Sequence, residues 1–197
     1  MHSTRNTKRK IKVSDTEKLD YERMWQEENP FAHRLAYWIK HVLNPNRVID
    51  MGCGPGMHVY ALRGLEVEAI GYDIDERVLD KPYLHHKSIF NVWSDEQADL
   101  VLCLEVAEHL PENTSDQVVE ACVDALERHG IIIWTAAIPG QGGVGHINCQ
   151  PKEYWEAKFK NNNMTRLHQL EGEMLDYIRR GYHMGWFTQN AMIFLKL

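Results

Sequence analysis

The chain has 197 residues, 44% of them hydrophobic and 25% charged, a balance that builds a core and excludes an intrinsically disordered polypeptide. Its formal net charge of −6 argues against a nucleic-acid partner, because proteins that grip phosphates normally present a basic face. No apolar run approaches the length of a membrane span, so no membrane partner is expected. The four cysteines (Cys53, Cys103, Cys122 and Cys149) form no Cys-x-x-Cys pair for a zinc site or disulfide framework.

In chain order, residues 1–12 carry Arg5, Lys8, Arg9, Lys10 and Lys12 with no apolar segment after them. This reads as a flexible, solvated tail and not a secretory leader, which places the protein in the cytoplasm. From Asp15 to Val42 apolar and aromatic residues recur at helical spacing, and Pro30 in their midst predicts two helices. After the turn at Asn44-Pro45-Asn46, Arg47–Met51 reads as a short buried strand. Gly52-Cys53-Gly54-Pro55-Gly56 and a helix over Met57–Arg63 follow at once. Further strands are expected at Val67–Tyr72, Tyr83–Ile89, Leu100–Leu104 and Ile131–Thr135, with a helix over Ser115–Leu126. Strands alternating with helices imply an α/β fold, a doubly wound parallel sheet with helices on both faces. Beyond Pro139 come a glycine-rich loop, a helical patch at Lys152–Lys160 and a last strand at Ala191–Leu195, while Asn161–Tyr182 fits either helix or strand.

A strand ending in Asp50, then Gly52-x-Gly54-x-Gly56, then a helix, makes a ligand cradle. Glycines reach positive φ and let backbone approach a ligand, and the helix start adds free N–H donors. A pyrophosphate loop would read Gly-x-Gly-x-x-Gly and would not welcome a carboxylate beside its anion. Asp50 instead suits the cationic amino group of a methionine moiety, which favours S-adenosylmethionine over a nicotinamide dinucleotide. Asp73, at the end of the second strand, can accept from both ribose hydroxyls. Asp75 is expected to cap a following helix.

The segments Val-Ile-Asp-Met-Gly-Cys-Gly-Pro-Gly (48–56), Gly-Tyr-Asp (71–73) and Asp-Leu-Val-Leu-Cys-Leu-Glu-Val-Ala-Glu-His-Leu-Pro (99–111) resemble the successive motifs of class I S-adenosylmethionine-dependent methyltransferases. The resemblance extends over roughly residues 30–197. It implies a Rossmann-like seven-stranded sheet with the last strand antiparallel and the donor across the carboxyl ends of the first strands. By position it assigns Asp50, Gly52, Cys53, Gly54 and Gly56 to the methionine end, Asp73 and Ile74 to the ribose side, and Glu105 to the region of the sulfonium. An Asp usually meets the adenine amino group, and here that place falls to Ser88 with Ile89 beside it, a departure from the family pattern. Residues 13–197 then form one domain: a helical lid (13–43) with Trp25, Phe31 and Trp38 on its buried side, a cofactor-binding core (44–136) and an acceptor-side region (137–197).

On the acceptor side, Glu105 and His109 lie four residues apart and could share a helical face. The long loop Ala137–Pro151 offers His146, Asn148 and Gln150. His146 or His109 is the candidate base, since an imidazole titrates near working pH; Asn148, Gln150 and Trp186 are candidates for binding the acceptor. No metal is called for, and His85-His86 reads as surface. With Tyr154-Trp155 and Trp186–Asn190, the loop resembles a bacterial and phage subgroup that modifies sugars or small metabolites. No Asn/Asp-Pro-Pro-Tyr/Phe motif follows the fourth strand, in keeping with a small-molecule acceptor. The alternatives are the same fold acting on protein or nucleic acid, and a non-catalytic module that binds the donor without turnover.

Overall fold

The computed structural model describes residues 20–78, 81–92, 97–182 and 184–197, so the basic segment 1–12 lies outside the described residues. The chain begins with α1 (Tyr21–Trp38), whose first turn is capped by Asp20 accepting from the Arg23 amide at 3.0 Å. A single helix runs through Pro30, not two. Pro30 is exposed, and so is Gln26, the residue whose carbonyl would otherwise receive the N–H that proline lacks. The helix continues as a π-turn (Ile39–Leu43) and stops at Asn44, which is left-handed at φ 46°.

Next come β1 (Arg47–Met51), α2 (Met57–Arg63), β2 (Glu68–Asp73), β3 (Leu84–His86) and β4 (Ala98–Leu104). The rest is α3 (Ser115–Asp124), β5 (Leu126–Thr135), α4 (Lys152–Asn161), β6 (Met164–Arg166), α5 (His168–Gly181), α6 (Gly185–Asn190) and β7 (Met192–Lys196). The undecided stretch 161–182 thus resolves into a short strand and a helix. The expected strand from 83 to 89 is shorter than its apolar pattern, because the chain turns into a 3₁₀ segment at Ile89–Asn91.

The seven strands form one sheet in the order β3-β2-β1-β4-β5-β7-β6. β1 to β5 pair in parallel, and β7 runs antiparallel to both β5 and β6. This is the α/β, seven-stranded architecture with a reversed last strand that the sequence implies. Alternate residues of each strand face opposite sides, so Val48 and Leu100 join α1, α2, α5 and α6 in one core. Ile49, Val101 and Trp134 join α3 and α4 in the other. Among the described residues no helix is long and apolar enough to cross a membrane.

The sheet's carboxyl edge is where β1, β2 and β4 deliver Asp50, Asp73 and Glu105. In an open α/β sheet the strand order reverses there, and a crevice opens outside the strand ends. Here that reversal lies between β1 and β4.

Candidate active site

The loop after β1 is fastened to its neighbour. The amides of Gly52 and Cys53 both donate to the Tyr72 carbonyl, at 2.7 and 3.0 Å. Gly52 has φ +78°, and a Cβ there would lie 2.5 Å from the Val106 Cγ2, so a side chain is excluded on both counts. Gly54, at φ +52°, is the opposite case: a Cβ would meet nothing within 4 Å, which leaves one side of the loop open. The Gly54 amide donates to Asp73 Oδ2 at 2.8 Å, and the Asp75 amide donates to Asp73 Oδ1 at 2.8 Å. Each carboxylate oxygen has two acceptor sites, so Asp73 keeps capacity for further donors. Burial raises its pKa against the opposing pull of those amides.

Asp75 is committed to Arg77, at 2.6 Å, which holds its carboxyl down at about 2. It accepts from the Arg77 amide and closes a turn; residues 76–78 are not helical, so the expected helix cap is not seen. Asp50 is 2% exposed, and its Oδ2 has no hydrogen-bond partner. Burial, and then the charge of Asp73, push it up to about 8. Cys53 is buried, whereas Ile74, just past Asp73, is 57% exposed and presents apolar surface at the strand end. Ser88 precedes the 3₁₀ segment without a capping bond from its hydroxyl, and Ile89 behind it is buried. The Lys87 amide donates to the Asp73 carbonyl at 2.8 Å, which brings this segment alongside the end of β2.

The amino-terminal half of α1 overhangs these strand ends. Burial raises the Tyr21 hydroxyl's pKa, and next in order come the charges of Asp73 and Asp75. Glu28, about two turns on, is raised by burial and then by Glu105. The inner side of the helix holds Phe31 and Trp38, while Trp25 is half-buried with its ring 5.7 Å from that of Tyr60.

At the end of β4, Glu105 adopts φ +53°, a costly conformation for a side chain of this size. It is held there by its amide, which donates to Thr135 Oγ1 at 2.9 Å and the Thr135 carbonyl at 3.2 Å. Its carboxylate accepts from Asn190 Nδ2 at 3.1 Å and from Gln141 Nε2 at 3.5 Å. The chain then enters a 3₁₀ turn at Ala107–His109. Glu105 and His109 therefore do not share a helical face: the left-handed residue sends Glu105 towards Asn190, while His109 turns towards the 137–151 loop.

That loop brings the two candidate bases together. The rings of His109 and His146 lie 5.0 Å apart at 79°. His109 Nδ1 faces the Gly145 carbonyl at 3.3 Å, and His146 Nδ1 faces the Gln141 carbonyl at 3.4 Å. A carbonyl can only accept, so these contacts assign the N–H to Nδ1 and, in the neutral ring, the lone pair to Nε2. Burial, and then the nearby His146, lower the pKa of His109. Beside them is Glu108, which the sequence reading passed over. It is fully buried, and neither carboxylate oxygen has a hydrogen-bond partner. Its signal was present in the sequence as an acid directly before His109 and three residues after Glu105.

Asn148 and Gln150, expected to point at an acceptor, do other work. Asn148 is 3% exposed, and its amide donates to the Ala107 carbonyl at 3.3 Å and to Ser115 Oγ at 3.1 Å. Gln150 donates to Asn148 Oδ1 at 3.0 Å. The amides of Ile147 and Asn148 both donate to the Glu108 carbonyl, at 2.8 and 3.0 Å. These residues brace the loop against the His109 turn. Asn148→Ala should cost about 1–3 kcal/mol, the loss from stranding buried partners, read by urea unfolding; a change within error would mean the brace is idle. Trp186 is half-buried, with its ring 5.5 Å from Phe31 at the outer end of the cleft. Asn190 and Gln141 were not singled out, because their bonds to Glu105 and to each other span the fold. His85 stacks on Tyr72 at 5.3 Å and exposed His86 lies 2.9 Å from the Ile74 carbonyl, both apart from the His109 cluster.

A seven-stranded sheet with its last strand reversed, a glycine cradle fastened to an aspartate at the second strand and a polar cluster after the fourth define a methyltransferase fold. The model of the methyltransferase domain family matches residues 22–134, more than half of the chain, and the chain belongs to that family. A ubiquinone biosynthesis O-methyltransferase from Stutzerimonas stutzeri is 29% identical over 153 residues, covering 67% of this chain and 61% of that protein. Its counterpart from Thiobacillus denitrificans is 30% identical over 124 residues, 55% of this chain and 51% of that protein. The chain thus spans roughly half to three fifths of these relatives. Among solved structures, an amino pentose methyltransferase from Micromonospora echinaspora superposes with a TM-score of 0.67 at 16% identity, covering 92% of this chain and 99% of that one. The sugar N-methyltransferase of Streptoalloteichus sp ATCC 53650 gives 0.64 at 15%, covering 100% and 99%. At that identity the likeness concerns the fold.

Proposed function

We propose that the protein transfers the methyl group of S-adenosylmethionine to a hydroxyl of a small molecule such as a sugar or metabolite, in the cytoplasm. The observation that carries the choice of a hydroxyl is the His109–His146 pair. Both imidazoles offer a free Nε2 at the strand ends where the acceptor would sit, and a hydroxyl needs a proton removed. The curated relatives, named as O-methyltransferases, support the same choice. The net charge of −6 weighs against nucleic acid.

The chain fits the donor. The unpartnered Asp50 Oδ2 suits the amino group, directly or through water; the open side of Gly54 and the spare acceptors of Asp73 suit the ribose. Exposed Ile74, with Ser88 and Ile89, suits the adenine. When bound, the donor supplies a methyl group on a positively charged sulfonium, ready for in-line displacement. The chain's own work is to align and to dry the site. Asp73 orients the ribose, Glu105 on its rigid left-handed corner offers negative charge near the sulfonium, and α1 with Tyr21 and Glu28 covers the strand ends. With the donor bound, the acceptor oxygen would give up its proton at the His109–His146 end of the cleft as the methyl group is transferred, and the donor would leave as a neutral thioether.

Labelled donor offered to panels of hydroxylated metabolites, proteins and RNA tests this. Label on a metabolite hydroxyl is expected; label confined to protein or RNA, or donor binding without transfer to any panel, would refute it.

Asp50 also sets a pH dependence. Below about 8 the empty protein holds Asp50 largely protonated, and a cationic amino group is bound best by the ionised form. Donor affinity should therefore climb from pH 6 to 8, by up to about tenfold per unit, and flatten in Asp50→Asn. Without donor the linkage runs the other way: the folded form keeps a proton the unfolded form releases, so stability falls as pH rises from the ordinary carboxylate range to about 8. Calorimetric titration at three pH values checks the first; a profile flat in the wild type would remove Asp50 from the amino site.

A further inference from the structure

We propose that Glu108, His109 and His146 form a divalent-cation site at the acceptor end of the cleft, with open positions for the acceptor oxygen. One potential ligand atom from each residue lies within 4.8 Å of the others, a cluster that closes readily around one ion. The ligands come from two separate segments, and the bonds of Ile147 and Asn148 to the Glu108 carbonyl hold those segments in register.

Two further observations point to a cation. Glu108 is fully buried and neither oxygen has a hydrogen-bond partner, a deficit that a proton on the carboxyl or a bound cation would relieve. Each imidazole directs Nδ1 at a backbone carbonyl, at 3.3 and 3.4 Å. That outer bond is the usual means of fixing a metal-binding histidine with its other nitrogen free.

Two imidazoles and a carboxylate are a borderline set, suited to zinc, manganese or ferrous iron more than to calcium, which prefers oxygen alone. Three protein ligands leave coordination open, as in catalytic and not structural sites. An acceptor hydroxyl bound there would lose its proton more easily, with the proton passing to solvent. The histidines would then act as ligands in place of free bases. This role for the ion rests on the methyl-transfer reading; the binding of the ion does not.

The test uses metal-stripped protein dialysed against Mn²⁺ or Zn²⁺, with bound metal measured per chain and thermal melting followed alongside. About one ion per chain and a raised melting temperature are expected. Glu108→Gln, His109→Ala and His146→Ala should each weaken binding at least tenfold, since loss of even an outer-sphere partner costs about 10–100-fold. Calorimetric affinity for the donor should change little. His146 lies on a half-exposed loop, so His146→Ala remains informative if a buried variant fails to fold. Chelation should abolish methyl transfer and Mn²⁺ should restore it. Absence of stoichiometric metal, binding indifferent to the substitutions, or full transfer after chelation would each overturn the proposal. Metal and donor both bound with no transfer to any acceptor would instead refute the methyltransferase reading and leave the ion site standing.

Discussion

Asp73→Ala is expected to weaken binding of the methyl donor by about 100-fold while leaving the sheet intact. Two hydrogen bonds from ribose hydroxyls to a carboxylate, at about 1.5 kcal/mol each, amount to about 3 kcal/mol, or two factors of ten. The alanine also strands the Gly54 and Asp75 amides, which now donate to Asp73 at 2.8 Å each, so the glycine cradle loses its tie to β2. Asp73→Asn separates the two effects, since its side-chain oxygen can keep one amide while the charge is lost. Calorimetry with the donor or its demethylated product reads the change, and far-ultraviolet dichroism confirms the fold. Wild-type affinity in the alanine variant would disprove the ribose assignment.

The second large effect concerns stability. Trp134 is completely buried in β5, its ring 5.1 Å from both Trp155 and Phe159. Trp134→Ala should cost about 3–5 kcal/mol through lost burial and the cavity left behind. For a chain of this size that lowers the melting temperature by roughly 10 °C or more. Trp134→Phe should cost much less, because it fills most of the space and removes a buried indole N–H that has no partner. Equilibrium urea unfolding distinguishes the two, and a loss under about 1 kcal/mol for the alanine variant would mean that this face of the sheet repacks freely.

Elements dictated by local pattern were legible in the sequence. β1 and α2 fall at the boundaries their residues predict, because an apolar run, a glycine turn and a helical repeat leave little choice. Asp50, the loop glycines and Asp73, the residues proposed for the donor, lie at strand ends that the same local pattern defines. What was not legible depends on partners far along the chain. Pro30 is tolerated because of where α1 turns to water, and β6 exists because Met164–Arg166 finds β7. Asn148 is spent on Ala107 and Ser115, contacts that no local spacing announces. Glu108 was not singled out, because its burial comes from the packing of the 137–151 loop against the turn it sits on.

The loop between β5 and α4 is held at two places, Gln141 and the stretch 147–150. Ile147, Asn148 and Gln150 are bonded into the His109 turn, whereas at Gly140 and Gly142 an added Cβ would meet nothing within 4 Å. Foreign residues inserted directly after Gly142, beyond the bonds of Gln141, should be accepted without loss of donor affinity, and the same insertion at 147–150 should not. New acceptors could thus be acquired by rewriting one stretch of loop, a division of labour that makes this scaffold readily retargeted.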